Sequence, residues 1–431
     1  MTLFSSGFEL PQVELGRHIL FDAVKITRFT DIHYLSMFSI KYRLVLAVIG
    51  LLIVAQTAGV RIVSAKEKQI VNIAYLTLEK KVPPALSNLD PFINDKGVQG
   101  ARLAIKDNNT TGQFTGQEYV LQEVSIPVGG DVAAAFKHLD TEGYQFVVVN
   151  LPASILEQLA VMENAQNKLL FDVATRDDHL RNKSCRPNVF HLMPSRAMRA
   201  DALAQYMLKK RWKEWFLVVG PTQEDRLFAE AVKRSAKRFG MKLVEEKTWE
   251  QTFDARRTAQ ADVPVFTQGV DYDVLVVADE KGLFGEYLDY RTWKPRPVIG
   301  TPGLVPTSWH RTHEQWGAVQ IQNRFQEQAG RWMEEEDYGA YLAIRSLGEA
   351  ATRLGRSEVE AVKEYLMSDQ FALQGYKGRP LSFRSWNGQL RQPVLLAAAR
   401  SMVSVAPLDG FLHPKTELDT LGFDQPETKC Q

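Results

Sequence analysis

Along most of this chain, apolar runs of strand length alternate with stretches of helical period, a pattern that predicts parallel sheets with helices on both faces. Residues 70–76 form the first such strand. The stripe Val98, Ala101, Leu103, Ala104 and Ile105 makes 97–109 a helix, and 119–124 is the next strand. Ala133, Phe136 and Leu139 give 131–142 helical spacing ahead of the buried run 146–149, after which 154–164 and 169–173 repeat helix and strand. The pattern restarts after Pro187, with helices over 196–210 and 226–239 and strands over 215–219, 242–246, 273–278 and 297–300. Helices over 337–354 and 358–367 follow, and 379–405 reads as paired strands around the turn Asn387-Gly388. The fold class is therefore α/β with two lobes. The first lobe is expected from 66–191 and about 301–375, the second from 192–300 and about 376–408, with 409–431 as a C-terminal tail.

Residues 37–65 follow a different rule. Lys41 and Arg43 precede an apolar run over 44–55, interrupted only by Gly50, and Val63-Ser64-Ala65 is the small-residue pattern that a signal peptidase accepts. As a helix that run spans about 18 Å, well short of a hydrocarbon core of about 30 Å, so a cleaved secretory signal is the better reading than a permanent membrane span. Residues 1–36 mix apolar, acidic and basic side chains, and a start assigned too early, with Met37 as the initiator, accounts for them most simply. The expectation is a periplasmic protein that begins near Lys66 and meets the membrane only through a partner.

Composition changes this picture little. At 45% apolar and 24% charged residues the chain is an ordinary folded protein. Its 52 basic and 51 acidic side chains nearly cancel, so there is no electrostatic case for nucleic acid. The two cysteines, Cys185 and Cys430, both fall in the exported part. An oxidising compartment allows them to pair and tie the tail to the body, the alternative being two unpaired thiols. Their separation excludes a CxxC motif.

A nucleophile elbow, a phosphate-binding loop and a strand-linked GxGxxG are all absent from the sequence, leaving no candidate catalytic constellation and no cofactor motif. The chain is expected to be non-enzymatic. His310, His313 and Glu314 invite a metal reading, but their order matches neither HExxH nor HxxEH, and a solvated helix start is favoured. Trp309, Trp316 and Trp332 are read as packing rather than as walls of an aromatic pocket.

The run Gly100-Ala101-Arg102-Leu103-Ala104-Ile105-Lys106-Asp107-Asn108-Asn109, with Gly112 and Gly116 beyond it, resembles the first helix of periplasmic solute-binding proteins of the leucine-binding type. Ala174-Thr175-Arg176-Asp177-Asp178 and Val189-Phe190-His191-Leu192-Met193-Pro194-Ser195 resemble that family's segment after the fourth strand and its crossing into the second lobe. A narrower resemblance lies in Asp201 to Tyr206 with Lys210-Arg211-Trp212, in Ser382 to Pro393, and in Gly410-Phe411-Leu412-His413 with Asp419 to Asp424. These segments look like the subgroup associated with alcohol oxidation dependent on pyrroloquinoline quinone.

The resemblance implies the two-lobe fold of type I periplasmic binding proteins, closing about a hinge on a small-molecule ligand that is passed to an ABC transporter permease. It places the ligand at strand-end loops: Thr77, Asn150, Ala153, Ala174, Thr175 and Arg176 in the first lobe, Thr222 and Asp279 in the second. An Arg176 guanidinium pairs bidentately with carboxylates, and Asn150 can donate to a carbonyl or hydroxyl, against the plainer readings of a solvated loop arginine and a turn before Pro152. Asp279 and Glu280 can take an amine or a hard cation, though capping the next segment is the favoured role. Asn150-Leu151-Pro152 departs from the small residues and serine with which amino-acid binders of this family hold a carboxylate. A second class of reading remains, a sensory or scaffolding subunit with the same two lobes and a protein partner.

Overall fold

Five strands with almost continuous apolar runs build the first sheet, and burial on both faces explains why they do not alternate. The computed structural model describes residues 68–81, 92–250 and 259–430. The expected signal at 37–65 and the extension before it lie outside these residues. Strand β1 (Gln69–Leu78) leads to helix α1 (Val98–Thr115), β2 (Gln117–Ile126), α2 (Val132–Thr141), β3 (Phe146–Asn150), α3 (Ala153–Ala160), β4 (Leu169–Asp172), the short α4 (His179–Asn182) and β5 (Val189–His191). All neighbours are parallel, in the order β2-β1-β3-β4-β5. Parallel pairing sends every strand's carboxyl end to one edge, so Thr77, Asn150 and the loop after Asp172 converge there.

The second α/β run starts at α5 (Arg196–Lys210), whose bounds coincide with the expected ones, and continues through β6 (Glu214–Val219), α6 (Gln223–Phe239), β7 (Lys242–Thr248), α7 (Ala259–Thr267), β8 (Val274–Ala278), α8 (Gly285–Leu288) and β9 (Val298–Gly300). Its sheet, again parallel, runs β7-β6-β8-β9. Ser195 accepts from the Met198 N–H to cap α5, and Thr222 with Asp225 forms a capping box that starts α6. Strand β10 (Val305–Thr307) then precedes α9 (Ala318–Ala329), α10 (Glu335–Leu354) and α11 (Val359–Met367). The chain ends in β11 (Leu373–Gln374), β12 (Pro380–Phe383), β13 (Leu390–Arg391), β14 (Val394–Ala398) and β15 (Ser401–Ala406) before the tail.

The cores assign these later elements. Ile321, Phe325, Tyr338, Leu342 and Leu366 pack with the β1–β5 sheet, as do Leu381, Phe383 and Leu390. Val394, Leu396 and Ala406 pack with α5, α6 and β6 instead. The return to the second lobe therefore comes near 392, later than the expected 376, because the β11–β13 strands bury their apolar faces against the first lobe. The expected hairpin at Asn387-Gly388 is a six-residue connection between Phe383 and Leu390. Helix α9 was missed by apolar periodicity, since four glutamines interrupt it. His310 to Glu314 do not start a helix. His313 is buried beside Trp309 and meets the Tyr376 carbonyl through Nε2 at 2.7 Å. Among the described residues no helix is long and apolar enough to cross a membrane.

Helices α1 and α10 approach closely, and glycine makes this possible. A Cβ built at Gly100 would collide with the Asp337 main chain, whereas one at Gly339 would meet only Val173 and Met193 side chains at ordinary contact distance. Gly100→Ala is expected to cost about 2 kcal/mol by overpacking, while Gly339→Ala gains up to about 1 kcal/mol from helix propensity. Urea unfolding midpoints check the opposite signs. Equal effects would remove the close-approach explanation.

Candidate functional site

Asn150 ends a strand whose five residues are all buried, and this fixes where its amide points. Its Nδ2 donates to the Tyr75 hydroxyl at 2.9 Å and to the Lys96 carbonyl at 3.2 Å, and Tyr75 donates to the same carbonyl at 3.1 Å. Burial pushes the Tyr75 phenol far above its usual range, so it stays a neutral donor. Gly97, at φ 90°, has room for no Cβ beside Tyr75 and Asn150, and its N–H donates to Asp337 at 2.7 Å. Thr77 donates to the Asn150 carbonyl at 3.4 Å. Asn150 and Thr77 thus shape the loop that carries Lys96, which pairs with Glu334 at 3.6 Å.

The loop after β4 is organised from below. The Asp172 carboxylate accepts from the Ala174 N–H at 3.1 Å, from the Thr175 N–H at 2.9 Å and from the Thr175 hydroxyl, and meets His191 Nδ1 at 2.7 Å. Arg181 closes the cluster, donating to the Thr175 and Met193 carbonyls and lying 3.5 Å from Asp172. Burial pushes the Asp172 carboxyl up, but the His191 hydrogen bond and the Arg181 charge outweigh it and hold the group below its usual value. Burial and Arg181 depress His191 to about 4, so neutral histidine donates to an ionised aspartate.

Above this base, charges from both lobes meet. Glu335, at the start of α10, accepts from Arg176 Nη2 at 2.9 Å, from Arg199 Nη2 at 2.8 and 2.9 Å, and from the Ser308 N–H. Burial pushes the Glu335 carboxyl up, yet Arg199 and Arg176 hold it far below the carboxylate range. Arg199 also donates to the Pro194 and Pro306 carbonyls at 3.2 and 2.7 Å, tying two lobe crossings together. Arg196 reaches Glu280 at 2.6 Å on the second lobe and Asp177 at 3.1 Å on the first, and its N–H donates to the Arg176 carbonyl at 2.9 Å. The third crossing joins through Gln392, which donates to the Leu192 carbonyl and accepts from the buried Lys377 ammonium at 2.8 Å. Burial pushes Lys377 well below its usual value.

Of the eight residues expected to hold a ligand, the structure gathers Asn150, Arg176 and their loops around one edge, but it commits several to internal work. Thr175 is buried in the Asp172 cluster. Ala174 offers its N–H to Asp172, and Ala153 opens α3, packed against the core beneath. Thr222 is a helix cap. Asp279 accepts from the Leu283, Phe284 and Gly285 N–H groups at 2.7–2.9 Å, the capping role. Arg176 keeps 29% of its side chain exposed and is the best placed to meet a solute. Sequence reasoning missed Arg196, Arg199, Glu335 and Lys377, because nothing local marks their partners, which for Arg199 and Glu335 lie 136 residues apart. Cys185 and Cys430 are joined as a disulfide, with Cα atoms 5.4 Å apart. Among the described residues no cluster of three or more His, Cys, Asp or Glu could hold a metal ion.

Two outcomes follow. Glu335→Gln removes the countercharge of two arginines and is expected to cost about 3 kcal/mol in denaturant unfolding; a cost below 1 kcal/mol would show that the node does not carry the crossing. His191 is depressed from 6.5 to about 4, so the unfolded chain binds more protons between those values and stability falls as pH drops from 6.5 to 4. The loss amounts to about 3 kcal/mol, and His191→Asn should flatten this part of the stability profile. An unchanged slope in the variant would assign the loss to other groups.

Comparison with known proteins places this geometry. Residues 90–267 match the family model described as periplasmic binding protein. No curated protein matches the chain. Among solved structures, a leucine-, isoleucine-, valine-, threonine- and alanine-binding protein from Brucella ovis in its closed conformation is similar with a TM-score of 0.63 at 15% identity, covering 79% of this chain and 92% of that one. A branched chain amino acid ABC transporter periplasmic ligand-binding protein from Burkholderia xenovorans LB400 gives 0.62 at 16% identity, covering 78% and 95%. A solute binding protein of an ABC transporter from R. palustris, in complex with benzoate, gives 0.56 at 13% identity, covering 78% and 95%. This chain has the α/β two-lobe fold of the periplasmic binding proteins, with parallel sheets flanked by helices.

Proposed function

We propose that this chain is the periplasmic solute-binding component of an ABC transporter, capturing a small molecule by closing its lobes and presenting it to a permease. The observation that carries this reading is the convergence of strand ends from two parallel sheets, where Arg176 and Asp177 of one lobe lie within one arginine of Glu280 on the other. Crevices at the carboxyl ends of parallel strands are where α/β folds take ligands. Arg176, with Asn150 and Thr77 behind it, supplies the first-lobe contacts. The loops at Thr222 and Asp279 supply shape from the second lobe, since their side chains are spent on caps. Export by a cleaved signal at 37–65 fits this role.

The solute class follows from what the site lacks and what its neighbours bind. Asn150-Leu151-Pro152 offers no hydroxyl for an amino-acid carboxylate, and one structural neighbour holds benzoate. A small carboxylic acid or alcohol suits Arg176 and the Asn150 loop better than a zwitterion. A link to alcohol oxidation dependent on pyrroloquinoline quinone is supported by the resemblance in 382–393 and 410–424. A second reading, a sensory or scaffolding subunit that binds a protein, is favoured by the Arg196 bridge, in which one side chain ties Asp177 of the first lobe to Glu280 of the second.

A thermal melt of the chain without reductant separates the readings, run against alcohols, their acids, branched-chain amino acids, the quinone cofactor and calcium or lanthanide ions. A solute at a hundred times its dissociation constant adds about 2.7 kcal/mol, a shift of several degrees. Arg176→Ala should abolish the shift while the unliganded melt moves far less than in Glu335→Gln. A flat panel would favour the scaffold.

A further inference from the structure

We infer that the C-terminal tail, residues 408–430, is a strap laced across the hinge that limits how far the lobes part, with the Cys185–Cys430 disulfide as its fixed end. The tail changes lobes repeatedly. Leu408 starts on the second lobe, its N–H bonded to Gln205 of α5 at 3.0 Å. Asp419 then reaches the first-lobe strands, pairing with Arg384 at 2.8 Å and Arg391 at 2.9 Å, while Glu417 pairs with Arg379. Leu421 returns to the second core, and the Gly422 N–H donates to Asp201 of α5 at 2.8 Å. The Gly422 carbonyl accepts from Arg234 and Arg238 of α6 at 2.8 and 2.7 Å, and Phe423 lies under the Arg234 guanidinium. The last turn goes back to the first lobe, where the Lys429 N–H donates to the Asn182 carbonyl at 2.9 Å before Cys430 meets Cys185.

These anchors are buried: Arg384 is 1% exposed, Asp419 3% and Asp201 0%. Separating the lobes must either draw out the seven residues between Gly422 and Cys430 or uncouple a buried charge from its partner. The disulfide removes the cheapest way out, release of the chain end. Arg384 Nη2 also donates to the Leu421 carbonyl at 2.8 Å, so one first-lobe arginine grips both neighbouring passes of the strap. The lobe crossings alone leave rotation about the hinge open. The strap closes off its wide end, which keeps the ligand-free protein near the closed arrangement and shortens the path to capture.

The inference uses the two-lobe fold and no particular solute, so its test needs none. Distances between spin labels carried by non-cysteine residues at Gln113 in α1 and Lys237 in α6 report the separation of the lobes in the full chain. Wild type is compared with Cys430→Ser, with Asp419→Asn and with wild type under reductant. The expected result is a narrow distribution in the oxidised wild type and a shift toward wider, broader separations in all three others. Distributions that superimpose on the oxidised wild type would overturn the strap. If Asp419→Asn fails to fold, the reduced wild type and Cys430→Ser decide alone, because neither disturbs the buried charges.

Discussion

The carboxylate of Glu335 is the constraint on which the arrangement of the lobes depends. Two arginines and one backbone N–H end on it, and Arg199 is committed elsewhere as well. Arg199 holds the Pro194 and Pro306 carbonyls, one from each of two crossings, so a single guanidinium registers the hinge. Removing this carboxylate would leave two guanidiniums without their shared countercharge, whereas Arg199 and the Ser308 N–H still hold it without Arg176. The hinge is therefore built from interdependent polar groups, while the apolar cores remain separate on either side.

That division would let the lobes close on a solute, as proposed, without repacking. Each sheet is covered by its own helices, and the residues that face the gap are loops anchored from beneath. Asp172 fixes the Ala174–Thr175 turn, Asn150 and Tyr75 fix the Lys96 loop, and Asp279 fixes the loop before α8. Rigid loops on rigid sheets supply preorganised contacts, which lowers the ordering cost of capture. Arg176 stands apart because its head group bridges to Glu335 while part of it stays in solvent. Under the proposed function, a solute with an anionic group would compete for that arginine, and binding and hinge electrostatics would share one residue.

Much of the architecture was legible in the sequence. β3 and β8 are apolar at nearly every position because both faces are covered, and α5 was expected with the bounds it has. What escaped was chiefly polar. Helix α9 hides behind glutamines, and β12 and β13 were expected on the second lobe because a short strand's pattern says which face is buried but not against what. The site was less legible still. Types and strand-end positions pointed to Thr175 and Thr222, yet they were spent on a turn and a cap, the ordinary fate of short polar side chains near helix starts, while Asp279 took the capping role favoured for it. Arg199 and Glu335 lie on helices with no motif around them, and only the fold brings them within 3 Å.

The central claim is that two lobes joined through this node close on a small solute. The most direct measurement is small-angle X-ray scattering on the chain before and after saturation with a solute that raises its melting temperature. The account predicts a smaller radius of gyration and a more compact pair-distance distribution on saturation. Identical scattering curves, with binding verified in the same sample, would contradict closure and leave a rigid receptor.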